Sequence, residues 1–480
     1  MTVSVSGAID ALVAANQAAP ARIVTAAFPF VPAELGLPHF ASTYLPADTL
    51  NRVYRFLGYR SALVGGTDVH SIQVSRDGKT RAGADSLCEE FDRAYRRAFD
   101  SFRVHYDLYL RTDDEAHTRL THAALRRLEI DANISPRPTN QLRCTQCDAA
   151  PPERLTRQPN GPAVCPWCGS DALTTEQATH LFVDLERLRA TIVGDVALHS
   201  GARRWIDNIL AAPLEPWCIT RDNRVGMDLH RPIAGKSLYI WFESLVGYAT
   251  LAQGLEDRGF PAAQAEFRHF FGKNILYHHG ILWPVIARAA LGIDNRSQAC
   301  MRGFADSDCR WADAYRTDPA LRLYTLLKVP DDGSDFRLAE AEFREFRRKI
   351  WTNKIENLLK RLALCEIEPR GPLEPDPSWQ EAVDRTMMRI SALADAGAVR
   401  RIAEETLRFV RYTGSLCVDR GILWSDQASQ RGRAFGMRRL CLALLNLVTP
   451  GIGDGQFAPD DRTFLAGAGG RIDTAQRVGP

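Results

Sequence analysis

The sequence predicts an α/β fold: a doubly wound parallel sheet, interrupted by a metal-binding insertion and followed by an α-helical bundle. Three observations predict it. The stretch from Arg22 to His70 reads strand, turn, helix, strand. Two Cys-x-x-Cys pairs sit in the middle of the chain, and from Ala339 to near Leu447 apolar residues such as Phe343, Phe346, Ile350, Leu358 and Leu359 trace one helical face.

Taken in order, residues 1 to 20 form a short leading helix. The β-branched run Ile23, Val24, Thr25 makes the first strand and breaks at Pro29 and Pro32. After His39, Leu45, Leu50, Val53 and Leu57 recur at helical spacing. A second apolar run, Ala62 to Val64, stops at Gly65-Gly66, so that Asp68 and His70 fall just past a second strand. Loops at the carboxyl ends of neighbouring parallel strands form the binding crevice of such sheets, which brings His39, Asp68 and His70 face to face. A helix over Asp85 to Phe102 places Phe91, Tyr95 and Phe99 in the core.

The insertion begins near Arg111. Cys144 and Cys147, then seventeen residues, then Cys165 and Cys168 followed by Gly169, predict two knuckle turns closing one tetrahedral four-thiolate zinc site. A closed site has no open coordination position, so its role is structural. Thr179 to Leu185 alternates as a strand. Leu238 to Glu243 reads as a buried strand with Gly247 and Tyr248 on the following helix, and Phe271 to His279 as strand and turn. A proline-containing link runs from Pro369 to Pro377, and the last thirty residues form a loose tail.

At 480 residues and 45% hydrophobic content the chain builds large cores in two to four domains. Eleven cysteines, four of them as Cys-x-x-Cys, fit metal binding in a reducing cytoplasm better than a disulfide framework. No apolar run reaches the ~18 residues that cross a bilayer, and the N-terminus carries no secretory pattern. A net charge of +2 gives no overall pull toward polyanions.

The motifs resemble those of class I aminoacyl-tRNA synthetases, specifically the methionyl enzymes. Phe28-Pro29-Phe30 is similar to the family's strand end, and Gly36-Leu37-Pro38-His39 to its HIGH signature, with the first histidine replaced by Gly36. Gly66-Thr67-Asp68-Val69-His70, Asp48, Leu214 to Asp222, Trp241 with Tyr248, and Gly272-Lys273-Asn274 with His279 carry the remaining likeness. Ser244-Leu245 stands where the family has alanine-proline, and Asn274 where it has aspartate. No lysine lies between Lys273 and Lys328, so the KMSKS loop is absent.

The resemblance implies a Rossmann-like catalytic fold in two halves (1–110 and 236–330), a connective insertion (111–235) with a zinc knuckle, and an anticodon-binding-like helical domain (331–480). It implies ATP, with Mg2+, as substrate. ATP would be bound by Gly36, His39, Gly272 and Asn274. Asp68 would hold the amino acid's ammonium, and Phe28, Phe30, Trp241, Ser244, Leu245, Tyr248 and His279 would line the substrate pocket. His39 and Lys273 would act in catalysis, with Arg302, or Arg310, standing in for the missing lysines. Arg221 binds a phosphate or carboxylate, or pairs with Asp222. In the helical domain Ser415 and Trp424 fall where relatives read the anticodon, and Trp424 reads equally well as core.

The function expected is ATP-dependent amino-acid activation with transfer to a small N-hydroxylated amine such as N6-hydroxylysine, on a route to nitrogen–nitrogen bonds with a separate cupin partner. The alternatives are a methionine–tRNA ligase, with tRNA as partner, and a catalytically inactive binding protein.

Overall fold

The computed structural model describes residues 7–78, 81–151, 156, 162–192, 196–198, 200–223, 225–233, 235–294, 296–305, 309–366, 376–425 and 427–452. The strands are β1 (Arg22–Ala26), β2 (Ser61–Thr67), β3 (Leu108–Arg111), β4 (Ile134–Cys144), β5 (Leu173–Val183), β6 (Val196–Ala197), β7 (Trp217–Cys218), β8 (Thr220–Arg221), β9 (Ser237–Leu238), β10 (Glu266–Gly272) and β11 (Ser297–Arg302). The main sheet runs β3-β2-β1-β10-β11-β6, and every pairing in it is parallel. All five residues of β1 are buried, as expected for a central strand covered on both faces. β1 lies between β2 and β10, so the order reverses at its carboxyl end, where ligands bind in open α/β sheets.

The insertion is a long antiparallel ribbon. β4 and β5 pair from Ile134 opposite Val183 to Cys144 opposite Leu173, which carries the cysteine pairs to its tip. The helices from Glu340 to Val448 pack on the face of the sheet covered by the helix Leu45–Phe56 and share its core, with Tyr54, Leu326, Ile390 and Leu445 all buried. Buried polar contacts fasten the bundle to the sheet. Asp48 accepts from Arg52 and from Arg322, and Tyr54 donates to the Ala394 carbonyl at 3.0 Å.

Two expected elements differ. β2 does not stop at Gly65-Gly66 but runs through both to Thr67. These glycines are there for close packing: a Cβ on Gly66 would stand 2.7 Å from the Leu110 carbonyl oxygen, and one on Gly65 would stand 2.4 Å from the Tyr106 ring. Gly66→Ala, which meets backbone, is expected to cost about 1–3 kcal/mol, read as a lowered urea midpoint. The stretch Leu238 to Glu243 is only briefly a strand. β9 ends at Leu238 and the helix Ile240–Glu256 starts two residues later, because its apolar residues are buried on the helix against the sheet rather than on a strand within it. Residues 306–308 of the segment after β11, most of the link 369–375 and the tail 453–480 lie outside the described residues. No helix among the described residues is long and apolar enough to cross a membrane.

Candidate active site and metal centre

Asp68 is the first residue after β2, and the loop after β1 fixes it: its N–H donates to the Pro29 carbonyl and its carbonyl accepts from the Val31 N–H, both at 2.9 Å. Its side chain is 4% exposed, and Oδ2 lies 2.6 Å from the Ser244 hydroxyl. Oδ1 is buried and has no hydrogen-bond partner. Burial holds this carboxyl well above the ordinary range, against the smaller opposing pull of Ser244. The Ser244 hydroxyl faces both Asp68 Oδ2 and the Ile240 carbonyl, the latter at 2.8 Å. Next to it, His70 Nδ1 meets Glu243 Oε2 at 2.8 Å, and Glu243 is fully buried.

Two cavities meet here. One, about 520 Å3, is lined by Asp68, His70, Arg221, Tyr239 and Trp241 together with residues of the ribbon tip. The other, about 420 Å3, is lined by His39, Gly272, Asn274, Phe304 and Trp241. Phe28, Phe30 and Trp241 face both, so these side chains form the partition. His39 lies in the first turns of the continuous helical stretch Leu37–Phe56, whose amino end favours anions. Its Nδ1 accepts from the Gly36 N–H at 3.2 Å, which leaves the proton of the neutral ring on Nε2, and burial lowers its pKa. Gly36 therefore serves the site by orienting His39.

Sequence reasoning therefore brings His39, Gly272, Asn274, Phe28, Phe30, Asp68 and Trp241 to the crevice, with Ser244 acting through Asp68. His39 and Asp68 do not share one cavity, since the aromatic partition stands between them. Leu245, Tyr248 and His279 line neither cavity. They are packed behind Phe28, whose ring centroid is 5.3 Å from that of Tyr248. His279 donates from Nδ1 to the Ile275 carbonyl at 3.1 Å and accepts from the Tyr248 hydroxyl at 3.0 Å, and burial pulls its pKa down to about 3.

The expected cations also differ. Arg302 is 2% exposed and its guanidinium is committed to Asp331 at 3.1 Å and the Gly397 carbonyl at 2.8 Å, so it joins the sheet to the helical domain instead of facing phosphate. Lys273 is paired with Asp335 at 2.6 Å, outside the cavity lining. Arg221 does not pair with Asp222. It stacks 3.7 Å over the Tyr239 ring and donates to the Cys218 and Thr220 carbonyls, in the wall of the Asp68 cavity. Trp424 is 64% exposed with the Arg361 guanidinium 5.1 Å from its ring, which removes the core reading, and Ser415 lines a neighbouring cavity between the helices.

At the ribbon tip the sulfurs of Cys144, Cys147, Cys165 and Cys168 lie within 4.8 Å of one another. Cys144 and Cys168 are 3.5 Å apart, and Cys147 and Cys165 3.7 Å, near the ~3.8 Å edge of a tetrahedron with Zn–S bonds of ~2.3 Å. Gly169, at φ +75°, permits the second turn. Four thiolates so placed fit zinc. About one zinc per chain is expected by elemental analysis, and Cys147→Ala should lose it.

Residues 22–190 and 162–308 match the family model for tRNA synthetases class I (M). The chain belongs to this class I synthetase family. Among its relatives, the methionine–tRNA ligase of Methanopyrus kandleri is 23% identical over 81% of this chain and 67% of its own length. That of Methanothrix thermoacetophila is 23% identical over 88% and 70%, and that of Methanobrevibacter smithii 27% over 55% and 45%. The chain thus spans from under half to about two thirds of these ligases. The Mycobacterium tuberculosis methionyl-tRNA synthetase bound by methionyl-adenylate superposes with a TM-score of 0.74 over 90% of this chain and 92% of that one, at 18% identity, a likeness of fold. The parallel sheet and the helices that follow it have the class I synthetase fold.

Proposed function

We propose that this chain is an adenylate-forming ligase of the methionyl-tRNA synthetase type. The observation that carries the reading is Asp68, a buried carboxyl with one unpartnered oxygen, lining the cavity that Phe28, Phe30 and Trp241 divide from that of His39. Asp68 receives the amino acid's ammonium. The amino acid's carboxylate then points past Trp241 toward the His39 cavity, where it attacks the α-phosphorus of ATP and releases pyrophosphate. His39 donates from Nε2 to a phosphate oxygen, and Asn274 can bond a ribose hydroxyl. Mg2+, arriving with ATP, neutralises phosphate charge. The eleven cysteines form no disulfide, which supports a reducing, cytoplasmic setting.

The activity of these methionine–tRNA ligase relatives makes methionine and tRNA the first substrates to test. We keep a second reading, transfer to a small N-hydroxylated amine such as N6-hydroxylysine, because this chain departs from the family pattern at its own site. Ser244 places a hydroxyl on Asp68, and no lysine lies between Lys273 and Lys328. Losing one preorganised donor to developing charge typically costs ~2.7–4 kcal/mol of barrier, so slower adenylation follows.

Exchange of labelled pyrophosphate into ATP, screened over twenty amino acids and repeated with tRNA and with N6-hydroxylysine, decides. Exchange with methionine and charging of tRNA supports the first acceptor. Exchange followed by esterification of the hydroxylamine supports the second. No exchange and no bound nucleotide would make the chain a binding protein.

A further inference from the structure

The Asp68 cavity is closed on its far side by the insertion: Trp167, from the second cysteine turn, and Ala150, just after the first, both line it. Trp167 lies between Cys165 and Cys168 in a turn held by two backbone bonds, Gly169 N–H to the Cys165 carbonyl at 2.9 Å and Cys165 N–H to the Ser170 carbonyl at 2.7 Å. It lines the cavity together with Trp241 and Arg221.

The ribbon that carries this turn is pinned to the crevice. Asp222, next to cavity-lining Arg221, pairs with Lys236 and accepts from Gln141 at 2.7 Å and Arg143 at 3.0 Å, both on β4. Arg143 also reaches Glu176 of β5 at 2.7 Å. The tip end of the ribbon, within three residues of Cys144, is thereby held against the crevice, and Trp167 is placed from there by its own cysteine turn. Four thiolates on one metal would set that turn.

We propose that Trp167 is a substrate-contacting wall of the amino-acid cavity, so that metal in the cysteine knuckle and substrate against Trp167 stabilise each other's sites. The inference rests on the reading that Asp68 binds the amino acid. The coupling acts in both directions, because the effect of metal on substrate affinity must equal the effect of substrate on metal affinity.

Two measurements test it on the full-length, zinc-loaded protein. In pyrophosphate exchange with the best amino acid of the panel, W167A is expected to raise the KM for that amino acid about tenfold and leave the KM for ATP unchanged, with W167F in between. Release of zinc to a colorimetric chelator is expected to slow about five- to tenfold with that amino acid in the wild type, and not in W167A. Zinc content of each variant is measured first, and if alanine strips the metal, W167L takes its place in both comparisons. An unchanged KM together with zinc release indifferent to substrate would overturn the proposal. If the wild type exchanges with no amino acid, the adenylation reading fails on its own. Zinc release measured with each of the twenty amino acids then decides this proposal, supporting it if any slows release and overturning it if none does.

Discussion

Asp68→Asn is expected to abolish amino-acid activation while leaving the protein at least as stable as before. Truncating one partner of a buried charge pair typically costs 2–5 kcal/mol, which translates into roughly 30- to 5,000-fold in kcat/KM by pyrophosphate exchange. The free protein gains nothing from this carboxylate, because one oxygen has no partner and burial raises its pKa. The sign follows from linkage. The folded state keeps the proton to a higher pH than the unfolded chain, so the ionised form works against folding once the pH rises above the ordinary carboxylate value of ~4. Wild type should therefore lose stability relative to the asparagine variant as pH rises, in urea titrations across that range. A folded variant that still activates amino acid at the wild-type rate would remove Asp68 from the ligand-binding role.

The second large effect is on stability. Arg322 is 5% exposed and donates to Asp48, to Thr49 Oγ1 at 3.1 Å, and to the Val448 and Phe102 carbonyls at 2.9 and 3.1 Å. It ties the helix behind the crevice to the last helix of the bundle. Arg322→Ala leaves a buried carboxylate with only Arg52 and two carbonyls without their donor, at about 3–5 kcal/mol, a large part of the 5–15 kcal/mol that typically holds a domain. The pH dependence runs opposite to that of Asp68. Burial alone would raise the Asp48 pKa, but Arg52 and Arg322 together outweigh it and hold it below the ordinary value. Its stabilisation is present above the unfolded-state pKa and is lost as pH falls through the folded one. Melting temperatures of wild type and Asp48→Asn should differ at pH 7 and converge in acid.

Much of the crevice was legible in the residues. His39, Asp68 and Asn274 follow strand ends or open helices, so local punctuation places them, whereas Trp241 was read on a strand and reached the crevice through the family likeness alone. The cysteine quartet was legible because a thiolate knuckle needs its ligands two residues apart. What lies behind or across from these residues was not. Arg302 and Lys273 looked like phosphate ligands, yet each is taken by a carboxylate more than twenty residues away, Asp331 and Asp335. Gly65 and Gly66 looked like a strand end but are spacers for Tyr106 and Leu110. Nothing in the Cys-Pro-Trp-Cys motif indicates that its tryptophan faces a cavity built by β2 and the helix Ile240–Glu256.

By itself the sequence determined the parallel sheet, the inserted cysteine ribbon and the helical bundle, because periodicity, turn residues and ligand spacing act over a few residues. Only the tertiary structure decided which charges are spent on one another, which aromatic rings divide the crevice, and that the ribbon tip forms its outer wall. Those outcomes depend on groups brought together from distant parts of the chain, where burial sets the cost of an unpaired charge and packing sets the room that remains.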